Sequence, residues 1–494
     1  MSSTFFGFEL SRRALNAQQT ALNITGQNIA NANTPGYTRQ IGNLTATTPE
    51  TISVSGGTMS VGTGVTLDTI TRARDAMVDN QFRTETSKQQ YYGTKQSNLT
   101  NVEGIMNEPS DSSLSGVLNS FWTSWSDLSN NPTDSGTRSV VVQRAKTLTD
   151  GLHSISAQIS DLQNNIESNV KTQIPLINNY ASQIKDLNGQ IKQAEASGDQ
   201  PNDLYDSRDN VVDQLAKLVN VKVTETPDSS FSSGKVSNYK IEIGDPPQTL
   251  VDGGAVNQLV GVTQATGLGG SATTAGNEIT TVQWANGTPL KFGQDGGALQ
   301  ANIETRDTDL TTLQGKYDDL ATGIVTAVND IYGSGTGAGA GAEFFDNSSP
   351  VTASNISVST STATDNIIGT GSSGDGSIAA AISSLSSGWS NLTDTATNSD
   401  LTDMKTKYGT SLGDFYGATV TQLGADVQQA TSQKSAEDAL VTNATNQRES
   451  TSGVSLDEEM TNLLQFQKSY AAAARMVTMM DDMLSTLMNM GLTK

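Results

Sequence analysis

Two apolar stripes run side by side along the first helical stretch of the chain. One stripe repeats every seven residues and consists of Phe8, Leu15, Leu22 and Ile29. The other steps by four and three and consists of Leu10, Ala14, Ala17, Ala21 and Ile24. At about 100° per residue, the stripes lie more than a quarter turn apart on a helix. We therefore predict a helix that packs on two sides, which favours intermolecular contacts. An ordinary helix packed on its own domain is the alternative.

A sharp turn follows this helix at Asn33-Thr34-Pro35-Gly36. Proline cannot continue a helix, and glycine can adopt a positive φ, so the helix is predicted to stop here. Taken alone, the TPG tripeptide indicates a turn and nothing more.

The strongest periodicity runs from Val141 to Ala194, where apolar residues step by four and three. It predicts a long coiled-coil-like helix that is kinked or broken near Pro175. Helical steps recur in four further stretches, at 72–106, 203–219, 299–331 and 416–449. Asp203 begins the second of these, where its carboxylate is predicted to cap the helix.

The apolar period changes to two after residue 220. Tyr239, Ile241 and Ile243 alternate with polar residues, and Asn286-Gly287 is a strong hairpin signal. We predict a β-rich insertion over 221–295, in the form of a small sandwich or barrel. Residues 41–70 are predicted to form a hairpin with short strands.

The last pattern, from Leu456 to Met490, predicts a long helix that again carries two seams. One seam contains Leu456, Met460, Leu463, Tyr470, Ala474, Val477, Leu484 and Met488, and the other contains Met476, Met480, Met483, Leu487 and Met490. Flexible methionine side chains let one surface fit several packings. The second seam is therefore a candidate for binding different partners in turn, with a methionine-containing core helix as the alternative.

These elements are nested, because helical ends enclose helical rods that enclose β-rich insertions. We predict an α+β multidomain fold with paired, coiled-coil-like terminal helices, a helical rod domain and inserted β-rich outer domains. The predicted domains are 1–40 with 455–494 (terminal helices), 41–220 with 296–333 and 400–454 (helical rod with a short β-hairpin), 221–295 (β-rich insertion) and 334–399 (second small outer insertion).

Composition and charge limit the classes of partner. A chain of 494 residues has room for roughly three or four domains. Its net charge of −22 repels nucleic-acid phosphates and anionic lipids, so we expect no nucleic-acid and no membrane partner. Solubility alone is the simpler explanation of this charge. No apolar run approaches roughly 18 residues, and the N-terminus lacks the regions of a cleavable signal peptide.

The residue inventory argues against catalysis. There is no cysteine, which excludes disulfides and thiolate metal sites. The single histidine, His153, lies within the long helical pattern, where we expect a solvated or partly packed side chain. Asp199, Asp203, Asp206 and Asp209 lack the spacing of a calcium loop. We expect no enzyme activity, cofactor or metal, although sites built of Asp and Glu alone stay open.

The two ends of the chain carry a resemblance to a known family. Ser11–Gln40, SRRALNAQQTALNITGQNIANANTPGYTRQ, resembles the N-terminal signature of bacterial flagellar axial proteins, which include rod, hook and hook-associated members. Arg448–Gly491 and the segment Gly296–Asp307 are similar to the hook-associated protein 1 family. Ala471–Ala474 departs from the pattern, because some polar residues are expected there.

The resemblance implies a structural protein that is exported unfolded through the flagellar type III apparatus and secreted to the extracellular flagellum without a cleaved signal. Its copies would form a ring between the flagellar hook protein and a second hook-associated junction protein. The terminal helices would coil together to line an inner tube, and the β-rich domains would face outward. The C-terminal helix would bind a cytoplasmic export chaperone.

These implications assign roles to particular residues. We expect tube packing to depend on an assembly seam of Leu15, Leu22, Ile29, Leu463, Tyr470, Val477 and Leu484. Pro35 and Gly36 would set the turn into the rod domain, with Tyr37 and Arg39 as its anchors. The candidate chaperone-binding residues are Met476, Met480, Met483 and Leu487. A hook or rod component, or a secreted adhesin that uses the β insertions, is the alternative.

Overall fold

The computed structural model describes residues 6–54, 57–110, 113–230, 236–264, 279–293, 295–334, 343–348, 350–360, 374–389 and 405–491. Its helices are α1 (Phe6–Ala30), α2 (Ala76–Met106), α3 (Leu114–Asn130), α4 (Ser135–Ala196), α5 (Asn202–Leu218), α6 (Gly297–Glu304), α7 (Leu310–Gly333), α8 (Ser377–Ser384), α9 (Leu412–Ser452) and α10 (Leu456–Gly491). A π-helical turn, Thr305–Asp309, joins α6 to α7. The predicted α+β class with long terminal helices is confirmed.

The strands form small antiparallel sheets. They are β1 (Gln40–Ala46), β2 (Glu50–Val54), β3 (Gly57–Val61), β4 (Val65–Arg72), β5 (Val221–Pro227), β6 (Ser237–Ile243), β7 (Gln248–Asp252), β8 (Ala255–Val256), β9 (Leu259–Gln264) and β10 (Ile279–Trp284). β1 pairs with β4 and β2 with β3, so the four strands make two antiparallel ribbons, one nested within the other in sequence.

The β-rich insertion contains a four-stranded meander, β5-β6-β7-β8, and a separate two-stranded ribbon of β9 and β10. The described strands therefore make two open sheets, where a sandwich or barrel was predicted. The Asn286-Gly287 turn is confirmed, since the Trp284 amide donates to the Thr288 carbonyl at 2.8 Å and Gly287 has a φ of +85°.

Helix α4 runs through Pro175 for 62 residues, so the helix is not broken there, and the predicted kink stays a prediction. An interior proline costs a helix roughly 3 kcal/mol. Ile174 and Ile177 flank the proline and are buried against the β-rich insertion, and this packing offsets the lost backbone hydrogen bond.

The predicted cap at Asp203 was also wrong. Helix α5 begins one residue earlier, at Asn202, and Pro201 in the cap position makes no side-chain hydrogen bond. The Asp203 carboxylate lies in the first turn and instead accepts a hydrogen bond from the Gln40 side-chain amide at 3.2 Å.

Helix α3 was not predicted, yet it supplies the centre of the larger core. Phe121 and Trp125 are fully buried and contact Phe344 and Phe345, with ring centroids 5.1 to 6.5 Å apart. This core also takes side chains from α2, α4, α7, α8 and α9. The described parts of 334–399 therefore pack into the helical core, while the division into domains stays a prediction.

The terminal helices α1 and α10 pack antiparallel. Gly7 near the start of α1 faces Met480 in the C-terminal half of α10, and Arg39 after α1 reaches the first turn of α10. A second face of α1 lies on the β1–β4 ribbon, where Ile24 and Leu10 approach Gly42 and Gly64. Helix α1 thus packs on two sides as predicted, and both of these neighbours belong to its own chain.

Candidate functional site: the joint of the terminal helices

The turn after α1 is held by one buried side chain, Asn28, which is 1% exposed. Its Oδ1 accepts hydrogen bonds from the Tyr37 hydroxyl at 2.8 Å and the Gln40 amide at 3.0 Å. Its Nδ2 donates to the Gln40 carbonyl at 2.9 Å. Gly36 has a φ of +81°, and Pro35 and Gly36 are exposed at the tip of the turn. One amide side chain therefore closes the loop between residues 28 and 40, which are twelve positions apart.

Main-chain groups then tie this turn to the helical core. The Thr38 amide donates to Asp206 Oδ2 on α5 at 2.9 Å. The Arg39 amide donates to the carbonyl of Ser452, the last residue of α9, at 2.9 Å. The turn is thus fixed against two helices that are distant in sequence.

Arg39 links both ends of the chain. Its guanidinium donates to Glu458 Oε2 and Glu459 Oε1 at 2.8 Å each, in the first turn of α10. Glu459 is buried, whereas Glu458 is exposed. Acidic side chains also suit the positive end of the helix dipole there. Arg39 therefore sets where α10 begins relative to α1.

Behind the turn lies a buried ionic cluster of four arginines and four aspartates, namely Arg72, Arg74, Arg83, Arg448, Asp79, Asp206, Asp209 and Asp213. We call it the joint cluster. It brings together the end of β4, the start of α2, one face of α5 and the last turns of α9. Asp206 and Asp209 both bind Arg72 Nη1, at 2.8 Å each.

Arg83 and Arg448 bridge helices. Arg83 on α2 contacts Asp209 at 3.2 Å and Asp213 at 2.7 Å. Arg448 on α9 contacts Asp79 at 3.0 Å and Asp213 at 2.8 Å, and its guanidinium lies 4.8 Å from the centre of the Phe82 ring. Since the charges balance and are mostly buried, removal of one partner leaves another unpaired in a low-dielectric site.

The protonation states follow from this geometry. Burial alone would raise the pKa of Asp209, but the positive charges of Arg74, Arg83 and Arg72 outweigh it and hold that pKa well below its usual range. Burial, together with the charges of Asp203, Asp206 and Glu459, raises the pKa of Tyr37 to about 12. Tyr37 therefore stays protonated, and its hydroxyl donates the hydrogen bond to Asn28 Oδ1.

Models of known protein families match both ends and the middle of the chain. Family models match at 8–38 (Flagella basal body rod protein), 99–345 (Flagellar hook-associated protein FlgK helical domain) and 446–490 (Flagellar basal body rod FlgEFG protein C-terminal). The chain is 35% identical to Flagellar hook-associated protein 1 of Bacillus subtilis (strain 168), over 99% of each chain. This chain belongs to the flagellar hook-associated protein 1 family.

Other relatives and one solved structure extend the likeness. Flagellar hook-associated protein 1 of Salmonella typhimurium is 30% identical, over 69% of this chain and 59% of its own length. The flagellar hook junction protein FlgK from Burkholderia pseudomallei shares the fold, with a TM-score of 0.57, 16% identity and coverage of 76% of this chain and all of that one. The resemblance seen in the sequence is confirmed, and the protein is a structural component of the flagellum.

The assembly-seam residues lie on the terminal pair. All but one are half-buried, and Tyr470 is exposed. Among the candidate chaperone-binding residues, Met476 and Met483 are exposed and Met480 packs on Gly7, while the Leu487 side chain lies outside the described residues. The roles of these residues in assembly and chaperone binding stay predictions.

The described residues offer little else that resembles a reactive site. They contain no group of three or more acidic or histidine side chains placed to hold a metal ion, and no helix among them is long and apolar enough to cross a membrane. His153 packs partly and makes a 2.8 Å hydrogen bond between its Nε2 and the Ile356 carbonyl. Through this hydrogen bond, His153 connects the segment that contains Ile356 to α4.

Proposed function

We propose that this member of the family forms the junction ring between hook and filament, and that its copies assemble through α1 and α10. The observation that carries the proposal is the apolar surface that α10 leaves uncovered. The exposed side chains are Leu456, Met460, Leu464, Tyr470, Met476, Met479, Met483 and Met488. Exposed apolar patches of this extent are typical of interaction surfaces.

Copies of the same chain are the partners that fit this surface. Helix α1 packs against Met480 on one side of α10, and Leu463, Val477 and Leu484 are half-buried, whereas the eight apolar side chains named above are exposed. A neighbouring terminal pair would cover the rest through head-to-tail contacts, which generate rings or helical tubes. The hook protein and the second hook-associated protein would occupy the two ends of that ring.

Arg39 and the joint cluster together support this assembly by fixing the direction of the terminal pair. Arg39, Arg72 and Arg448 connect the turn, α5, α9 and α10 through buried or half-buried ion pairs. A rigid joint would give every copy the same angle between its tube helices and its helical core. Uniform angles are what a closed ring requires.

Before assembly, the exposed apolar surface of α10 would bind a cytoplasmic export chaperone, because methionine side chains adapt to different partners. Export would proceed through the flagellar type III apparatus to the outside of the cell, without cleavage of a signal. We infer no enzymatic role for the protein.

Deletion of the gene in a flagellated host tests the proposal. We expect electron micrographs to show hooks without filaments, with flagellin monomers in the culture medium. Missing hooks would contradict the junction role and would indicate a rod or hook component instead. Intact filaments would contradict any role in the axial structure and favour an adhesin.

A further inference from the structure

A glutamate occupies a core position on α9. The buried stripe of this helix recurs every seven residues, at Tyr416, Leu423, Ala430, Glu437 and Ala444. Glu437 is only 8% exposed. An ionised carboxylate at such a position loses its hydration and needs a charged or hydrogen-bonding partner in exchange.

The described residues form no ion pair with Glu437. Lys88 faces it from α2, but the Nζ of this lysine lies 3.4 Å from Glu85 Oε2. On α9 itself, Lys434 Nζ lies 2.6 Å from Asp438 Oδ2. In addition, Glu437 Oε2 is buried and receives no hydrogen bond from the part of the chain that the structure describes. Ionisation would therefore leave a buried charge without a partner.

A second carboxyl faces Glu437 across the interface between α9 and α2. Glu85 on α2 is within hydrogen-bonding reach of it, and the Glu85 side chain is 15% exposed. Two ionised carboxylates offer only acceptors to each other, whereas one proton between them supplies the missing donor. Two carboxyls that share a site therefore hold one proton more tightly than either would alone.

The surrounding charges favour the protonated form of Glu437. Burial and the hydrogen bond with Glu85 raise its pKa, and the negative charges of Glu85 and Asp295 add to this effect against the positive charge of Lys88. Tyr92 also lies near Glu437, but its own pKa is raised to about 12, mainly by burial, so its hydroxyl stays neutral. The folded chain therefore binds a proton at Glu437 more tightly than the unfolded chain does.

We propose that Glu85 and Glu437 share one proton and form a pH-sensitive contact between α2 and α9. With the proton bound, Glu437 donates a hydrogen bond to Glu85, which keeps its pairing with Lys88. Loss of the proton leaves two like charges at a buried interface and weakens the packing of α2 on α9. Because the pKa of Glu437 is higher in the folded chain than its unfolded value of about 4.3, the contribution of this contact is complete below the unfolded value and is lost as the pH rises through the folded value.

Hydrogen exchange of the full-length protein, measured by mass spectrometry, tests this assignment at the interface itself. Glu437→Gln keeps the size of the side chain and supplies a donor at every pH. Amides of α9 on either side of this residue should exchange at least about threefold more slowly in the variant than in the wild type at about pH 8. At about pH 4.5 the two proteins should agree within about twofold. The matched control Glu449→Gln, at an exposed site on α9, should follow the wild type at both pH values.

Glu85→Gln provides a second and independent variant, because it removes the other carboxyl of the pair and leaves Glu437 in place. It should likewise slow exchange at about pH 8. The double variant Glu85→Gln/Glu437→Gln should show less than the product of the two single effects, since one shared proton underlies both. Exchange in Glu437→Gln that equals or exceeds that of the wild type at about pH 8, a change of the same size at both pH values, or a wild-type response in Glu85→Gln would each overturn the proposal.

Discussion

Helices α4 and α10 show the same apolar periodicity in sequence but differ in how far the chain completes their packing. Leu148, Ile159 and Ile177 of α4 are fully buried. By contrast, none of the apolar side chains of α10 that the structure describes is buried, and Met479 is 55% exposed. The same pattern therefore corresponds to a buried face in α4 and to a partly exposed surface in α10.

The joint cluster differs from both of these regions. It is buried like a core, but charged pairs rather than apolar side chains fill it. Removal of one partner from a buried ion pair is strongly destabilising, whereas replacement of the whole pair by apolar side chains is often neutral. The difference teaches that apolar packing fills the helical core, while ion pairs join β4, α2, α5 and α9 behind the turn.

The largest expected effect is at the joint. Asp209→Asn leaves Arg72, Arg74 and Arg83 short of a buried partner, and we expect a loss of about 3–5 kcal/mol in the free energy of unfolding of the helical core. Urea denaturation followed by circular dichroism measures it. The matched control Asp186→Asn should cost less than about 0.5 kcal/mol, since its side chain is 64% exposed. Equal effects would contradict a structural role for the cluster.

A leucine-to-alanine pair tests the contrast between α4 and α10 directly. Leu148→Ala opens a cavity in the larger core and should lower the free energy of unfolding by about 2–5 kcal/mol. Leu464→Ala removes a side chain that is 52% exposed and should cost less than about 1 kcal/mol in the monomer. A large loss at Leu464 would mean that α10 is already packed within one chain.

The turn should be less sensitive than the cluster. Asn28→Ala removes three hydrogen bonds and leaves the Gln40 amide unpaired, so we expect a loss of about 1–3 kcal/mol. Tyr37→Phe removes one of these bonds and should cost about 1 kcal/mol. Thermal unfolding of the two variants measures this order, and a larger loss in Tyr37→Phe would contradict the account of Asn28.

The smallest effect concerns pH. Because the pKa of Asp209 is depressed in the folded chain, its contribution to stability is complete above the unfolded value of about 3.9 and is lost as the pH falls towards the folded value. Stability of the wild type should therefore fall more steeply below about pH 4 than that of Asp209→Asn. Parallel pH curves for the two proteins would show that Asp209 carries no such contribution.

Elements with a long and regular period were readable from the sequence. The helical pattern of α1, the turn at Pro35-Gly36 and the hairpin at Asn286-Gly287 are each indicated by residues close in sequence. Helix α3 was missed although Leu114, Leu118, Phe121, Trp125 and Leu128 follow a helical period, and its aromatic residues pack against Phe344 and Phe345, more than two hundred positions away. The helix α4 continues through Pro175, where a kink or a break was predicted, because tertiary packing offsets a local helix breaker.

The joint cluster was missed because its ion-pair partners are distant in sequence. Arg72 and Asp206 are 134 positions apart, and no local rule pairs them. One signal was present, because Asp206 and Asp209 are three residues apart and so share a face of α5. These aspartates fail as a calcium loop, and their spacing on one helix face could have indicated an arginine partner. Asn28 gave no signal, since a single buried amide has no sequence period.

The most direct test of assembly through the terminal helices is a matched pair of leucine-to-aspartate variants, expressed in a host that lacks the native gene. Leu484→Asp alters the seam on α10, and Leu440→Asp alters a leucine on α9 that is 42% exposed. Electron micrographs should show hooks without filaments for Leu484→Asp and full-length filaments for Leu440→Asp, with both purified proteins retaining their helical circular dichroism. Normal filaments in the Leu484→Asp strain would contradict assembly through α10.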